Sequence, residues 1–144
     1  METLIYKLQQ HFESDKSFDD AKQYLNNINL NWQIYKPEHL SNYQRVLVYQ
    51  NENFDIFYIF WEKDAVAKIH NHAGNGCIMK TLHGQLKENI YNPQTLKYLT
   101  SNILDKNTIS YIHDKKSYHS IQNITADMSV SLHIYSPPNF NTSY

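Results

Sequence analysis

The stretch "AKIHNHAGNGCIMKTLHGQLKE", residues 67 to 88, places two histidines one residue apart and follows them with the only cysteine in the chain. It also carries the local pattern that decides the fold. "AKIHNH" and "GCIMKTLHG" are short, partly apolar runs, split by Gly74-Asn75-Gly76 and closed by His83-Gly84. Short runs bounded by glycine and asparagine read as strands joined by turns.

The same pattern extends outward in both directions. "QRVLVYQ" and "FDIFYIFWE" precede the stretch, and "QLKENIYN", "NTISYIH" and "MSVSLHIYS" follow it. Turn chemistry separates them at Asn51-Glu52-Asn53, Asn92-Pro93 and Thr125-Ala126-Asp127. Seven or more short strands predict an all-β sandwich or barrel. Upstream the period is that of a helix. Leu4, Ile5, Leu8 and Phe12 share one helical face, and Ser17 with Asp20 three residues on predicts a capped second helix. The expected organisation is one domain over 1–144, with short N-terminal helices (about 1–30) before a β-barrel (about 40–138).

Thirteen basic against fourteen acidic residues leave a net charge of −1, so nothing suggests DNA or an anionic membrane as a partner. The longest apolar runs, such as Phe57 to Trp61, fall far short of the roughly 20 residues of a membrane span. The first residues lack a signal-peptide pattern, and one cysteine cannot form an internal disulfide. A cytoplasmic monomer is the expectation.

Eight histidines stand at 11, 39, 70, 72, 83, 113, 119 and 133. On a strand, residues two apart share a face roughly 6.5–7 Å apart, so His70 and His72 aim the same way across Asn71. Two imidazoles converging inside a barrel form two corners of a metal site. His119 and His133 are both candidates for a third ligand, and Ser131, His133 and Tyr135 alternate onto one face. His11 and His39 are expected at the surface, and His83 and His113 at strand edges or behind the ligands. Trp61 and Phe60 read as core packing. Arg45, taken alone, reads as a solvated strand arginine.

These spacings resemble the cupins, whose first motif is Gly-x5-His-x-His-x(3–4)-Glu-x6-Gly and whose second includes His-x3-Asn. Here His70-x-His72 is followed by Cys77 in place of the glutamate, then by Gly84, and His119-x3-Asn123 supplies the second motif. The exchange of Glu for Cys marks the cysteine dioxygenase branch. "YQRVLVYQ", "HNHAGNGCIMKTLHGQLKE", "SYIHDKKSYHSIQN" and "VSLHIYSPP" resemble that branch in its own order, from about Asn42 to Pro138.

The resemblance implies a cupin β-barrel, or jelly roll, with a mononuclear non-haem Fe(II) bound by His70, His72 and His119. It implies a thioether cross-link between Cys77 and Tyr135 and a relay of Ser131, His133 and Tyr135. Arg45, supported by Tyr43, is implied as the clamp for a substrate carboxylate, a task that suits the forked guanidinium. The implied reaction is dioxygenation of L-cysteine by O2 to cysteine sulfinic acid. Three neutral imidazoles leave the metal its full charge, and the substrate thiolate becomes the anionic ligand. The Ser136–Pro137 bond is expected to be cis.

The motifs are also broken in places. Asp64 stands where the first motif has glycine, and Asp114, Lys115 and Lys116 occupy the region of the second motif's Pro-x-Gly. Three alternatives stand beside L-cysteine oxidation. A dioxygenase for 3-mercaptopropionate generally carries Gln in place of Arg45 and lacks the cross-linking cysteine. A three-histidine zinc enzyme and a non-catalytic cupin binding module are the others.

Overall fold

The structure is a computed structural model that describes residues 1–113 and 117–139. An α-helix, α1 (Glu2–Glu13), and two 3₁₀ helices (Phe18–Leu25 and Trp32–Tyr35) precede nine strands. These are β1 (Tyr43–Gln50), β2 (Asp55–Trp61), β3 (Val66–His70), β4 (Gly76–His83), β5 (Gln85–Tyr91), β6 (Tyr98–Asp105), β7 (Ile109–Ile112), β8 (Tyr118–Asn123) and β9 (Ser129–Ser136). A five-stranded sheet runs β1-β2-β9-β4-β7 and a four-stranded sheet runs β3-β8-β5-β6, with antiparallel neighbours throughout. This is the mainly β architecture with helical preface that the strand periods predict.

β9 shows how the sheets are used. Its sequence, SVSLHIYS, is buried at every position. Val130, Leu132 and Ile134 join Leu4, Leu8, Phe18, Ala21 and Leu25 in a core between the sheet and the preface helices. Ser129, Ser131, His133 and Tyr135 alternate to the other face, toward the four-stranded sheet. A second core, of Ile59, Trp61, Ala67, Met79, Leu86, Leu104 and Ile121, lies between the sheets. The barrel interior is therefore apolar at one end and lined by polar side chains at the other.

Several details depart from the expectations. The second helix is 3₁₀, and Ser17 makes no side-chain cap. Its buried Phe18 and Ala21 are three residues apart, a spacing that 3₁₀ winding holds in line. His11, expected at the surface, is 2 % exposed. Its Nε2 lies 2.7 Å from the Ser17 carbonyl and its Nδ1 2.9 Å from the Tyr24 hydroxyl, so both ring nitrogens have partners. Asp64 has φ 63°, the left-handed conformation that a glycine would adopt freely and that aspartate tolerates. The turn survives the exchange for that reason. The Ser136–Pro137 bond is cis. Asp114, Lys115 and Lys116, where the second motif loses its Pro-x-Gly, lie outside the described residues. No helix among the described residues is long and apolar enough to cross a membrane.

Candidate metal centre and adjoining relay

β3 and β8 are antiparallel partners with His70 directly opposite His119. His72 was expected on the same strand as His70, but β3 ends at His70 and His72 lies in the following loop. The bend still brings its ring back. Ring centroids are 5.0 Å apart for His70 and His72, 4.6 Å for His70 and His119, and 4.4 Å for His72 and His119. The His119 Nε2 lies 2.9 Å from the His72 Nε2 and 3.0 Å from the His70 Nε2.

What lies behind the rings determines which nitrogens hold protons. The Nδ1–H of His119 donates to Glu88 Oε2 at 2.7 Å, and the Nδ1–H of His70 donates to the Lys68 carbonyl at 2.6 Å. In those neutral tautomers both Nε2 atoms carry lone pairs, so their close approach is not a hydrogen bond. Burial and the neighbouring imidazoles hold the His119 pKa well below the usual histidine value, which keeps it neutral. Lone pairs converging this closely suit a cation. The three side chains form a ligand group whose donor atoms all lie within 4.8 Å of one another.

Glu88, the buried partner of a candidate ligand, is a residue that motif spacing missed. Leu86 and Glu88 are both buried on the inner face of β5. A carboxylate on an otherwise apolar stripe was the available signal. Burial raises its pKa, and hydrogen bonds from Ser110 and Asn102 oppose that rise. A carboxylate behind a ligating imidazole fixes the tautomer and orientation of the ring.

The five-stranded sheet supplies the other wall. Cys77 on β4 pairs in register with Tyr135 on β9, and the Tyr135 hydroxyl is within hydrogen-bonding reach of its sulfur. The His133 Nδ1 lies 3.3 Å from the Tyr135 hydroxyl and 3.8 Å from the Cys77 sulfur. Its Nε2 lies 2.7 Å from Ser131 Oγ, which also accepts a hydrogen bond from Trp61 Nε1 at 2.9 Å. Burial pushes the Cys77 thiol pKa up, so the sulfur stays protonated and outside the ligand group. Trp61, expected only as packing, is therefore also a hydrogen-bond donor.

Arg45 on β1 is an exposed residue whose guanidinium lies 4.2 Å from the Phe57 ring centroid and 5.2 Å from that of Tyr135. Tyr43, Arg45, His70, His119, His133 and Tyr135 all line one narrow cavity of about 20 Å³. His133, the other candidate third ligand, stands on the opposite wall from the imidazole cluster. Asn123, the last residue of the second motif, is structural. Its amide donates to the carbonyls of Trp61, Glu62 and Asp127, tying three segments at the closed end of the barrel. His39 is exposed as expected. His83 ends β4 with its ring against Trp32, and among the described residues neither it nor His113 joins the ligand group.

Solved structures define the class first. A double-stranded β-helix domain from Klebsiella pneumoniae superposes with TM-score 0.66 at 12% identity, covering 82% of this chain and 91% of that one. The cupin domain of Schizosaccharomyces pombe Cnp3 superposes with TM-score 0.57 at 14% identity, covering 78% and 70%. The fold is that of a cupin.

Sequence comparison narrows the class. The family model for cysteine dioxygenase type I matches residues 4–143, and the chain belongs to that family. It is 29% identical to cysteine dioxygenase type 1 of Danio rerio over 96% of this chain and 75% of that protein. It is 32% identical to the Homo sapiens and Bos taurus proteins over 78% of this chain, and the match spans 60% of their length.

Proposed function

We propose that this protein is a thiol dioxygenase that converts L-cysteine to cysteine sulfinic acid, with Fe(II) held by His70, His72 and His119. The observation that carries the proposal is the convergence of three imidazole nitrogens, two of them with their protons held on the far side of the ring. The ligand atoms lie within 4.8 Å of one another, close enough to share one ion, and membership of the cysteine dioxygenase family supports iron over zinc.

Iron(II) held there lowers the pKa of the substrate thiol and supplies the redox chemistry that activates dioxygen. The residues do the rest. Glu88 keeps the proton of His119 on Nδ1 and so leaves Nε2 as the donor. Arg45 takes the substrate carboxylate in a forked pair of hydrogen bonds, and Tyr43 flanks it. Tyr135 presents its hydroxyl to the cavity, and His133 holds that phenol with Ser131 behind it. Cys77 is placed for a thioether bond to Tyr135. Both oxygen atoms end on sulfur, so sulfur is oxidised, O2 is reduced, and no further reductant is consumed. Arg45 and Cys77 together support L-cysteine over 3-mercaptopropionate.

The test is anaerobic loading with Fe(II), then oxygen uptake with L-cysteine and detection of the sulfinate by mass spectrometry. One sulfinate per O2 is expected. Stoichiometric zinc without thiol-dependent oxygen uptake would overturn the proposal, and a higher kcat/KM for 3-mercaptopropionate would overturn the choice of substrate. Intact mass reports the cross-link as the loss of two hydrogens.

A further inference from the structure

We infer that Trp61 is a positioning residue of the relay, whose indole N–H acts through Ser131 to fix His133 as its Nδ1–H tautomer and so sets the hydrogen-bond direction at Tyr135. The inference rests on the proposed role of that relay and extends it by one residue.

An indole nitrogen can only donate. Trp61 Nε1–H donates to Ser131 Oγ at 2.9 Å, and Tyr43 packs against the indole with ring centroids 5.0 Å apart. Ser131 is fully buried, and among the described residues the one further partner of its hydroxyl is His133 Nε2 at 2.7 Å. With Trp61 already donating, the serine proton points at Nε2. The opposite arrangement, Nε2–H donating to serine, strands a buried O–H without an acceptor, which is costly in a dry site.

His133 is uncharged, because burial and the Arg45 guanidinium both disfavour an imidazolium. Its remaining ring proton is therefore on Nδ1, from which it donates to the Tyr135 oxygen at 3.3 Å. Tyr135 accepts on that side, and its own proton turns toward Cys77 and the cavity. The chain runs one way, from Trp61 through Ser131 and His133 to Tyr135. Trp61 also lines the cavity, and its effect through Ser131 is on which way the phenol donates.

The test uses metal-free protein labelled with ¹⁵N-histidine, the His133 ring being the resonance lost in His133→Gln. The expected result is an Nδ1–H tautomer in the native chain that gives way to a mixture in Trp61→Phe. A native Nε2–H tautomer, or an unchanged one in Trp61→Phe, would overturn the inference. If Trp61→Phe does not fold, Ser131→Ala replaces it, and there too an unchanged tautomer overturns it. In the iron-loaded enzyme Trp61→Phe should lower kcat on the order of tenfold with KM for L-cysteine little changed. In a Ser131→Ala background the same substitution should cost nothing further, and additive losses would count against it. An enzyme inert toward L-cysteine would overturn the dioxygenase proposal and leave the tautomer result standing.

Discussion

The two sheets contribute different halves of one site and are held in place differently. The five-stranded sheet carries Arg45, Cys77, Ser131, His133 and Tyr135, and its central strand β9 is buried on both faces. Its outward residues pack on the preface helices. The four-stranded sheet carries His70, Glu88 and His119, while β6 at its edge exposes most of its length. The half proposed to handle protons and substrate depends on the apolar core behind it. The half proposed to hold the metal has one wet face, and its side chains are steadied by buried polar contacts. Polar machinery inside a small barrel is thus stabilised in two ways, by apolar backing and by satisfied hydrogen bonds.

Substitutions on each sheet can break or sharpen that contrast. The largest effect belongs to His119→Ala, which should lower kcat/KM on the order of a thousandfold and abolish Fe(II)-induced stabilisation in a thermal melt. Leu8→Ala strikes the apolar backing. It should cost about 2–5 kcal/mol of stability in urea unfolding while folded protein still binds metal. Glu88→Gln strikes the polar support and should weaken metal affinity about 10–100-fold by competition with a chelator. Loss of metal affinity in Leu8→Ala beyond that in Glu88→Gln would reverse the assignment of supports.

The pH dependence of the metal-free protein should also differ in sign between His133 and Glu88. The His133 pKa lies well below its usual 6.5, so below that pH the unfolded chain binds a proton the folded one refuses. That stability is lost as pH falls, and His133→Gln should flatten the acid side of the melting curve. The Glu88 pKa lies above its usual 4.5, so its protonated form is favoured by folding and stability is lost as pH rises through the folded value. Glu88→Gln should therefore gain stability relative to the native chain as pH rises above the ordinary carboxylate value and through the Glu88 titration. The smallest effect is expected for Ile103→Ala on exposed β6, within about 0.5 kcal/mol of the native stability.

Much of this was legible in the residues. The alternation SVSLHIYS identified which side chains of β9 share a face, and the His-x-His pair with its trailing cysteine marked the centre of the site. β6 and β8 were missed. β6 is exposed on both faces and so shows no alternation, and β8 is a six-residue run whose buried side chains include His119, Ser120 and Asn123. Glu88, Trp61 and His11 were missed for one reason. Each has its essential partner more than five positions away in the chain, at His119, Ser131 and Ser17.

What the sequence determined by itself was the strand period, the turn positions and the set of residue types able to bind a metal. A period of two says which residues face together and leaves open which face turns inward. Only the tertiary structure decided that, because α1 and the 3₁₀ helix after it cover the apolar side of β9 and leave the serines, histidine and tyrosine to the barrel interior. Convergence of the rings at 70, 72 and 119 was likewise settled by the pairing of β3 with β8 and the bend after His70, long-range geometry that no local pattern encodes.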